Sequence, residues 1–128
     1  TNAFVLDLLS ASGAVASIDD EKLMDAVTAV SGSGPAYVFH FIECLTAAAE
    51  AAGLPKETAK LLAMQTVYGA GALAAESTDE PGELRRQVTS PNGTTAAALS
   101  VLMGEDRLKN LVTEAVEAAK VRSIELGK

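Results

Sequence analysis

The sequence predicts an all-α fold, a helical bundle that interleaves with a second subunit, and three observations support this. From Asp19 onward, apolar residues recur at helical spacing, with glycine or proline where segments change. The chain is 48% hydrophobic but only 4% aromatic, so its core must be built from alanine, leucine and valine. The segment from Leu61 to Ala75 is apolar around more than one face, and such a helix must be buried. In a chain of 128 residues this is easiest when a partner subunit covers one side.

The first 18 residues differ from the rest in their predicted secondary structure. Phe4 to Ser10 has the spacing of the end of a helix, and Ala14 to Ile18 is typical of a short strand. A lone strand is only marginally stable, so we expect this one to belong to a sheet that the chain does not contain. Residues 1–18 are therefore interpreted as a short remnant helix and strand of a preceding domain, and residues 19–128 as a helical domain.

Glycines and prolines divide the helical domain into segments. Carboxylates at Asp19, Asp20 and Glu21 suit the positive end of the first helix. Pro35 suits the first position of the second helix, where its missing N–H costs nothing. The predicted order is a helix from Asp19 that breaks at Ser31–Pro35, a helix from Pro35 to Gly53, a helix from Pro55 to Ala75, a short helix from Pro81 to Val88, a helix from Thr94 to about Met103, and a final amphipathic helix from Asp106.

Composition excludes several classes of function. The net charge is −7 and no basic stripe exists, which argues against a nucleic-acid partner. No run is long enough to span a bilayer, so no membrane partner is expected. One histidine and one cysteine do not make a zinc site, so no metal is expected. We expect His40 to be a packed, hydrogen-bonded core or interface residue rather than a general base. We expect Cys44 to be a small buried residue in a protein of the reducing cytoplasm.

One motif resembles a dinucleotide-binding fingerprint but is interpreted differently. Gly69 to Ala74 matches the pattern G-x-G-x-x-A. A functional fingerprint follows a strand and opens a helix, whereas these glycines lie inside one continuous helical pattern. We interpret them as a small-residue face for close helix packing.

Two turns combine hydroxyl side chains with a helix start. In the first, Ser31 to Ala36, two glycines give a tight bend beside two serines. In the second, Ser90 to Thr95, a Pro-Asn-Gly turn precedes two threonines. The N–H groups of a first helical turn lack intrahelical partners and carry the positive end of the macrodipole, so either turn could hold a small anion. The alternative is an ordinary turn, with Asn92 or Thr94 simply capping the helix in the second.

Two blocks of sequence together resemble the pyrroline-5-carboxylate reductase family. They are Asp25 to Tyr37 and Leu84 to Thr95, in matching order and spacing over essentially the whole chain. The family signature is usually written Gly-Gly-Thr-Thr where this chain has Asn92-Gly93-Thr94-Thr95. Asparagine tolerates left-handed backbone angles, so the turn should survive the change.

The resemblance implies the C-terminal part of an oxidoreductase of proline biosynthesis. The family reduces 1-pyrroline-5-carboxylate to L-proline by hydride transfer from NAD(P)H. Its N-terminal dinucleotide-binding domain, which holds NADP or NAD, would end within residues 1–18. Residues 19–128 would be the helical dimerisation and substrate-binding domain of a homodimer, and larger rings of dimers also occur in the family. Without the fingerprint, this chain alone is expected to be inactive.

The resemblance also assigns roles to residues of both turns. The substrate carboxylate would be held at the second turn, by Ser90, Asn92, Gly93, Thr94 and Thr95. Thr95 would be the catalytic residue, with its hydroxyl near the ring nitrogen of the imine. Ser33 and Gly34 would border the nicotinamide end of the cofactor. The alternative from another class of protein is a non-catalytic helical dimerisation or binding module.

Overall fold

The computed structural model describes residues 21–127, and every regular element among them is helical. The predicted helix at Phe4–Ser10 and strand at Ala14–Ile18 lie outside the described residues. The all-α prediction is confirmed for the described part of the chain. The elements are α1 (Glu21–Val27), a π-helical turn (Thr28–Gly32), α2 (Gly34–Ala51), α3 (Lys56–Glu76), α4 (Pro81–Gln87), α5 (Thr94–Met103), a 3₁₀ turn (Gly104–Asp106) and α6 (Arg107–Leu126).

The predicted break at Ser31–Pro35 is a widened helical turn rather than a loop. The N–H of Ser33 donates to the carbonyl oxygen of Thr28, five residues back, at 2.9 Å. Proline has no N–H, so Pro35 cannot donate to the carbonyl of Ser31 as a regular α-helix would require. A π-turn precedes α2 here, and such turns often occur at functional sites.

The other helix boundaries follow the glycines and prolines closely. α2 ends before Gly53, whose φ of +110° suits only glycine, and the N–H of Leu54 closes the helix on the carbonyl oxygen of Ala49 at 3.1 Å. Pro81 is the first residue of α4. The last helix begins at Arg107 rather than at Asp106, because Glu105 and Asp106 have positive φ values of 55° and 54°.

The described part of this chain buries very little of its apolar surface. Among residues 23–127 only Ala29, Ala59 and Ala63 are buried. Larger side chains on α3 stay exposed, among them Leu61 at 60% and Leu73 at 54%. Of the expected core of alanine, leucine and valine, only alanines are buried among the described residues. The prediction of a buried Cys44 is wrong here for the same reason, because its helix face is uncovered.

Contacts divide the described chain into two units. The first contains residues 21–38 and 108–127, and the second contains residues 39–107. In the first unit, the Ser123 hydroxyl of α6 donates to Asp25 Oδ1 of α1 at 2.7 Å in a partly buried site. In the second unit, an open groove of about 320 Å³ lies between α2 and α3. None of the helices in the described range combines the length and apolar character that a membrane span requires.

Ser123→Ala tests whether the hydrogen bond between α6 and α1 stabilises the first unit. Loss of the hydroxyl leaves a partly buried carboxylate without this donor, so the free energy of unfolding should fall by about 1–2 kcal/mol. Urea denaturation at a fixed protein concentration measures this. The control is Ser100→Ala, whose hydroxyl bonds only to the Ala96 carbonyl oxygen of its own helix and whose loss should be nearly neutral. Equal effects of the two variants would contradict the expected role of Ser123.

Candidate functional site

The turn before α5 is built around Ser90 and Gly93. The N–H of Gly93 donates to the carbonyl oxygen of Ser90 at 3.0 Å, which closes the turn. Asn92 has a φ of +61°, the left-handed conformation that asparagine tolerates better than most residues. The expectation that asparagine would support this turn is confirmed. The chain then enters α5 at Thr94.

Glycine at position 93 leaves room for the Ser90 carbonyl oxygen. A Cβ at this position would lie 3.2 Å from the Ser90 carbonyl oxygen and 3.4 Å from the Ser90 Cβ. The first distance is tighter than side chains normally accept, and the close atom belongs to the backbone, which cannot easily move. Any other residue would require the Ser90 backbone to shift by a few tenths of an ångström.

The hydroxyl groups of this turn are not used by the chain. Elsewhere, Thr89 and Thr113 donate to carbonyl oxygens four residues back, at 2.6 and 2.7 Å. The hydroxyls of Ser90, Thr94 and Thr95 make no hydrogen bond to any residue in the range 21–127. The residue preceding α5 is Gly93, and no side chain caps this helix. The capping alternative is therefore wrong for both Asn92 and Thr94.

The turn is polar without carrying a charged side chain. On α4, Arg86 forms an ion pair with Glu83, with Nη2 and Oε1 3.1 Å apart. Gln87 of the same helix donates to Asp79 at 3.0 Å. The first-turn N–H groups of α5 lack intrahelical acceptors and carry the positive end of the helix dipole. Anion recognition at Ser90–Thr95 would therefore rely on hydroxyl groups and backbone N–H groups, because Arg86 is already paired with Glu83.

The turn before α2 offers fewer donors than its sequence suggested. The Ser33 N–H is used inside the π-turn, where it donates to Thr28. The Ser33 hydroxyl makes no hydrogen bond within the described part of the chain. A Cβ added at Gly34 would meet no atom within 4 Å, so this position faces open space. Ser33 and Gly34 thus present one hydroxyl and an unobstructed stretch of backbone.

Sequence reasoning missed one side chain at this turn. The Tyr37 hydroxyl donates to the carbonyl oxygen of Ala29 at 2.6 Å, in a partly buried position. No periodicity pointed to this bond, because it spans a π-turn that only the structure reveals.

The predicted site residues fall into two groups, one in each unit. Ser33 and Gly34 belong to the first unit, and the Ser90–Thr95 turn belongs to the second. The structure brings the residues of each turn together. His40, expected to be packed, is largely exposed within this chain, although its Nδ1 lies 3.0 Å from Glu43 Oε1.

Other features of the described residues carry no site prediction. No group of three or more His, Cys, Asp or Glu side chains between residues 21 and 127 is arranged to hold a metal ion. Gly69 and Gly71 lie inside α3, as predicted, and a Cβ at either would meet nothing within 4 Å. Close packing at these glycines is therefore not supplied by this chain. No predicted site residue lines the α2–α3 groove, which is formed by Ile42, Glu43, Thr46, Ala47, Glu50, Lys60 and Met64.

Comparison with known proteins identifies relatives over most of the chain. A pyrroline-5-carboxylate reductase of Pseudomonas aeruginosa is 52% identical over 120 residues, which cover 94% of this chain and 44% of that protein. A pyrroline-5-carboxylate reductase of Arabidopsis thaliana is 46% identical over 125 residues. The aligned region covers 98% of this chain and 45% of that protein. The chain thus spans about half the length of these relatives.

Solved structures share the fold as well as the sequence. A pyrroline-5-carboxylate reductase of Coxiella burnetii superposes with a TM-score of 0.82 at 46% identity, over 87% of this chain and 41% of that one. The Plasmodium falciparum pyrroline carboxylate reductase, solved with NADP bound, gives a TM-score of 0.78 at 40% identity, over 85% and 41% of the two chains. The family model for pyrroline-5-carboxylate reductase dimerisation matches residues 21–126. This chain therefore belongs to the pyrroline-5-carboxylate reductase family and contains its dimerisation domain.

Proposed function

We propose that this chain is the C-terminal, substrate-binding and dimerisation part of an NAD(P)H-dependent reductase that converts 1-pyrroline-5-carboxylate to L-proline. Residues 19–128 form this part, and residues 1–18 end the dinucleotide-binding domain. The observation that carries the proposal is the Ser90–Thr95 turn, where three hydroxyls remain unbonded within the described chain at an uncapped helix start. A module retained only for dimerisation has no need of such a cluster.

The substrate carboxylate binds at this turn. Hydroxyls of Ser90 and Thr94 donate to its oxygens, and the first-turn N–H groups of α5 donate from the backbone. Asn92 and Gly93 shape the turn so that these donors converge. An acidic protein of net charge −7 can bind an anion in this way because the helix terminus supplies local positive potential.

Thr95 orients the reacting imine. Its hydroxyl lies one residue further into α5 than that of Thr94 and is half-buried, whereas Thr94 is exposed. Once the carboxylate is held, this hydroxyl is the donor that can reach the ring nitrogen, to which a proton must be added when C=N is reduced. The chain thus contributes orientation and proton placement, which are the protein's usual share in cofactor-dependent chemistry.

Ser33 and Gly34 border the nicotinamide end of the cofactor. The open space at Gly34 and the unbonded hydroxyl of Ser33 fit a ligand that approaches the backbone closely. When bound, the cofactor supplies the hydride. The Plasmodium falciparum relative with NADP bound supports a pyridine nucleotide in this role.

A second copy of the chain covers the exposed apolar faces. α3 leaves Leu61 and Leu73 more than half exposed, and a Cβ added at Gly69 or Gly71 would meet no atom of the described residues within 4 Å. Exposed apolar area of this kind marks an interface. The homodimer can assemble further into a ring. A free cysteine suits the reducing cytoplasm, where we place the enzyme.

Thr95→Ala in the full-length reductase should lower kcat by about 100- to 1,000-fold, the usual effect of losing one donor at a reacting centre. Steady-state proline formation measures the loss. His40→Ala is the control and should retain most turnover, because His40 is exposed and bonds only within its own helix. Equal losses in the two variants would exclude Thr95 as the imine-contacting group.

Gly34→Ala tests whether the cofactor approaches the backbone at this position, because the substitution should affect cofactor binding without lowering stability. The added Cβ meets nothing in the chain, so stability should be unchanged or slightly higher, by about 0.5–1 kcal/mol. The Kd for NAD(P)H, measured by fluorescence titration of the full-length reductase, should nevertheless rise by about 10-fold or more, since a methyl group then occupies the approach path. Gly104→Ala adds the same methyl group in open space at the end of α5 and serves as the control. Unchanged cofactor binding by Gly34→Ala would contradict the cofactor role of this turn.

Leu73→Glu tests whether α3 is covered by a second copy. Burying leucine stabilises by about 1.5–3 kcal/mol, and a two-fold dimer contains the residue twice, so the dimer Kd should rise at least about 100-fold. Sedimentation equilibrium of the chain measures this. Thr78→Glu places the same charge in the exposed segment between α3 and α4 and should leave the mass unchanged. A wild-type mass for Leu73→Glu would show that another face forms the dimer.

A further inference from the structure

The π-turn changes the hydrogen bonding of the Ala29 carbonyl. In a regular α-helix this carbonyl would accept the N–H of Ser33. Here that N–H donates to Thr28 instead, at 2.9 Å. Ala29 is 0% exposed, so water does not reach the vacated acceptor. A buried carbonyl without a donor is costly, and this carbonyl needs one that is not in its own helix.

Tyr37 supplies that donor from the far side of the turn. Its hydroxyl lies 2.6 Å from the Ala29 oxygen, within the range of a strong O–H···O bond. Tyr37 belongs to the first turn of α2, whereas Ala29 lies in the π-turn after α1. The Tyr37–Ala29 bond therefore connects the helices on either side of Ser33 and Gly34. Within the turn itself, the N–H of Ala36 donates to the Ser33 carbonyl oxygen at 3.0 Å.

We propose that Tyr37 is a positioning residue for the nicotinamide cofactor. It acts through the Tyr37–Ala29 bond, which keeps the π-turn open and so fixes the backbone of Ser33 and Gly34 where the cofactor approaches. This inference rests on the proposed function, because it takes Ser33 and Gly34 as cofactor contacts. It adds a residue that does not itself contact the cofactor.

The geometry explains why a hydroxyl is needed rather than an aromatic ring alone. Without the donor, the turn can satisfy the Ala29 carbonyl only by returning the Ser33 N–H to it, as in a regular α-helix. That change would release the Thr28 carbonyl and move Ser33 and Gly34 relative to α1.

The experiment compares Tyr37→Phe with Tyr68→Phe in the full-length reductase. Both variants lose one hydroxyl and keep the ring, and Tyr68 is 73% exposed on α3. Ser123→Ala is added because it weakens the same unit without removing the Tyr37–Ala29 bond. For each protein we would measure the Kd for NAD(P)H, the KM for 1-pyrroline-5-carboxylate, and amide hydrogen exchange of residues 30–36.

Tyr37→Phe should raise the cofactor Kd by about 3- to 10-fold, the effect of one net hydrogen bond, and leave the substrate KM within about two-fold. Exchange across residues 30–36 should accelerate in this variant alone. Tyr68→Phe and Ser123→Ala should bind the cofactor as the wild type does.

Three results would overturn the inference. The first is an unchanged cofactor Kd in Tyr37→Phe. The second is an equal rise in the cofactor Kd and the substrate KM of Tyr37→Phe, and the third is the same rise in cofactor Kd in Ser123→Ala; either would indicate a general loss of rigidity in the protein. A wild-type protein that binds no NAD(P)H would instead overturn the proposed function, together with the role inferred here. Faster exchange without a change in Kd would leave the proposed function standing and reject the positioning role of Tyr37.

Discussion

The apolar faces that this chain leaves uncovered are the constraint on which its organisation depends. Its buried residues in the described range are alanines, and leucine, methionine and phenylalanine side chains remain accessible along α2 and α3. Each such side chain contributes about 1.5–3 kcal/mol only once it is removed from water. Removing these side chains from water would need a covering surface, and residues 21–126 match the family model for pyrroline-5-carboxylate reductase dimerisation. Alanine and glycine have small side chains, so a partner helix could approach the helix backbone closely.

The two turns that carry the proposed site use backbone geometry in place of charged side chains. At Ser90–Thr95, a left-handed asparagine and a glycine packed against the Ser90 carbonyl bring three unbonded hydroxyls to a helix start. At Ser33–Gly34, a π-turn and a proline expose a short stretch of backbone. In the proposed function, both turns would place a small ligand against a helix end, where the donors are already oriented and little conformational entropy would be lost on binding. The nearby Arg86 remains paired with Glu83.

Much of this was predictable from particular residues. Gly53 adopts a positive φ that suits glycine, Pro81 begins a helix because its missing N–H costs nothing there, and Asn92 occupies the left-handed position that its side chain tolerates. The glycines at 69 and 71 were correctly taken as helical. By contrast, the π-turn could not be predicted. Its hydrogen bond joins residues five positions apart, and a single turn of this kind leaves no trace in the spacing of apolar residues. The burial of Cys44 was predicted wrongly, because apolar patterning identifies a face but does not say which molecule covers it.

The sequence by itself determined the helices, their boundaries and the two hydroxyl-rich turns, since these depend on residues close together in the chain. The tertiary structure decided which donors are free. It showed that the Ser33 N–H is used within the π-turn, that the Ser90, Thr94 and Thr95 hydroxyls are unbonded to the described residues, and that Tyr37 donates to Ala29. Hydrogen bonding is a matter of distance and direction between groups several residues apart, and those quantities exist only once the backbone has taken its path in space.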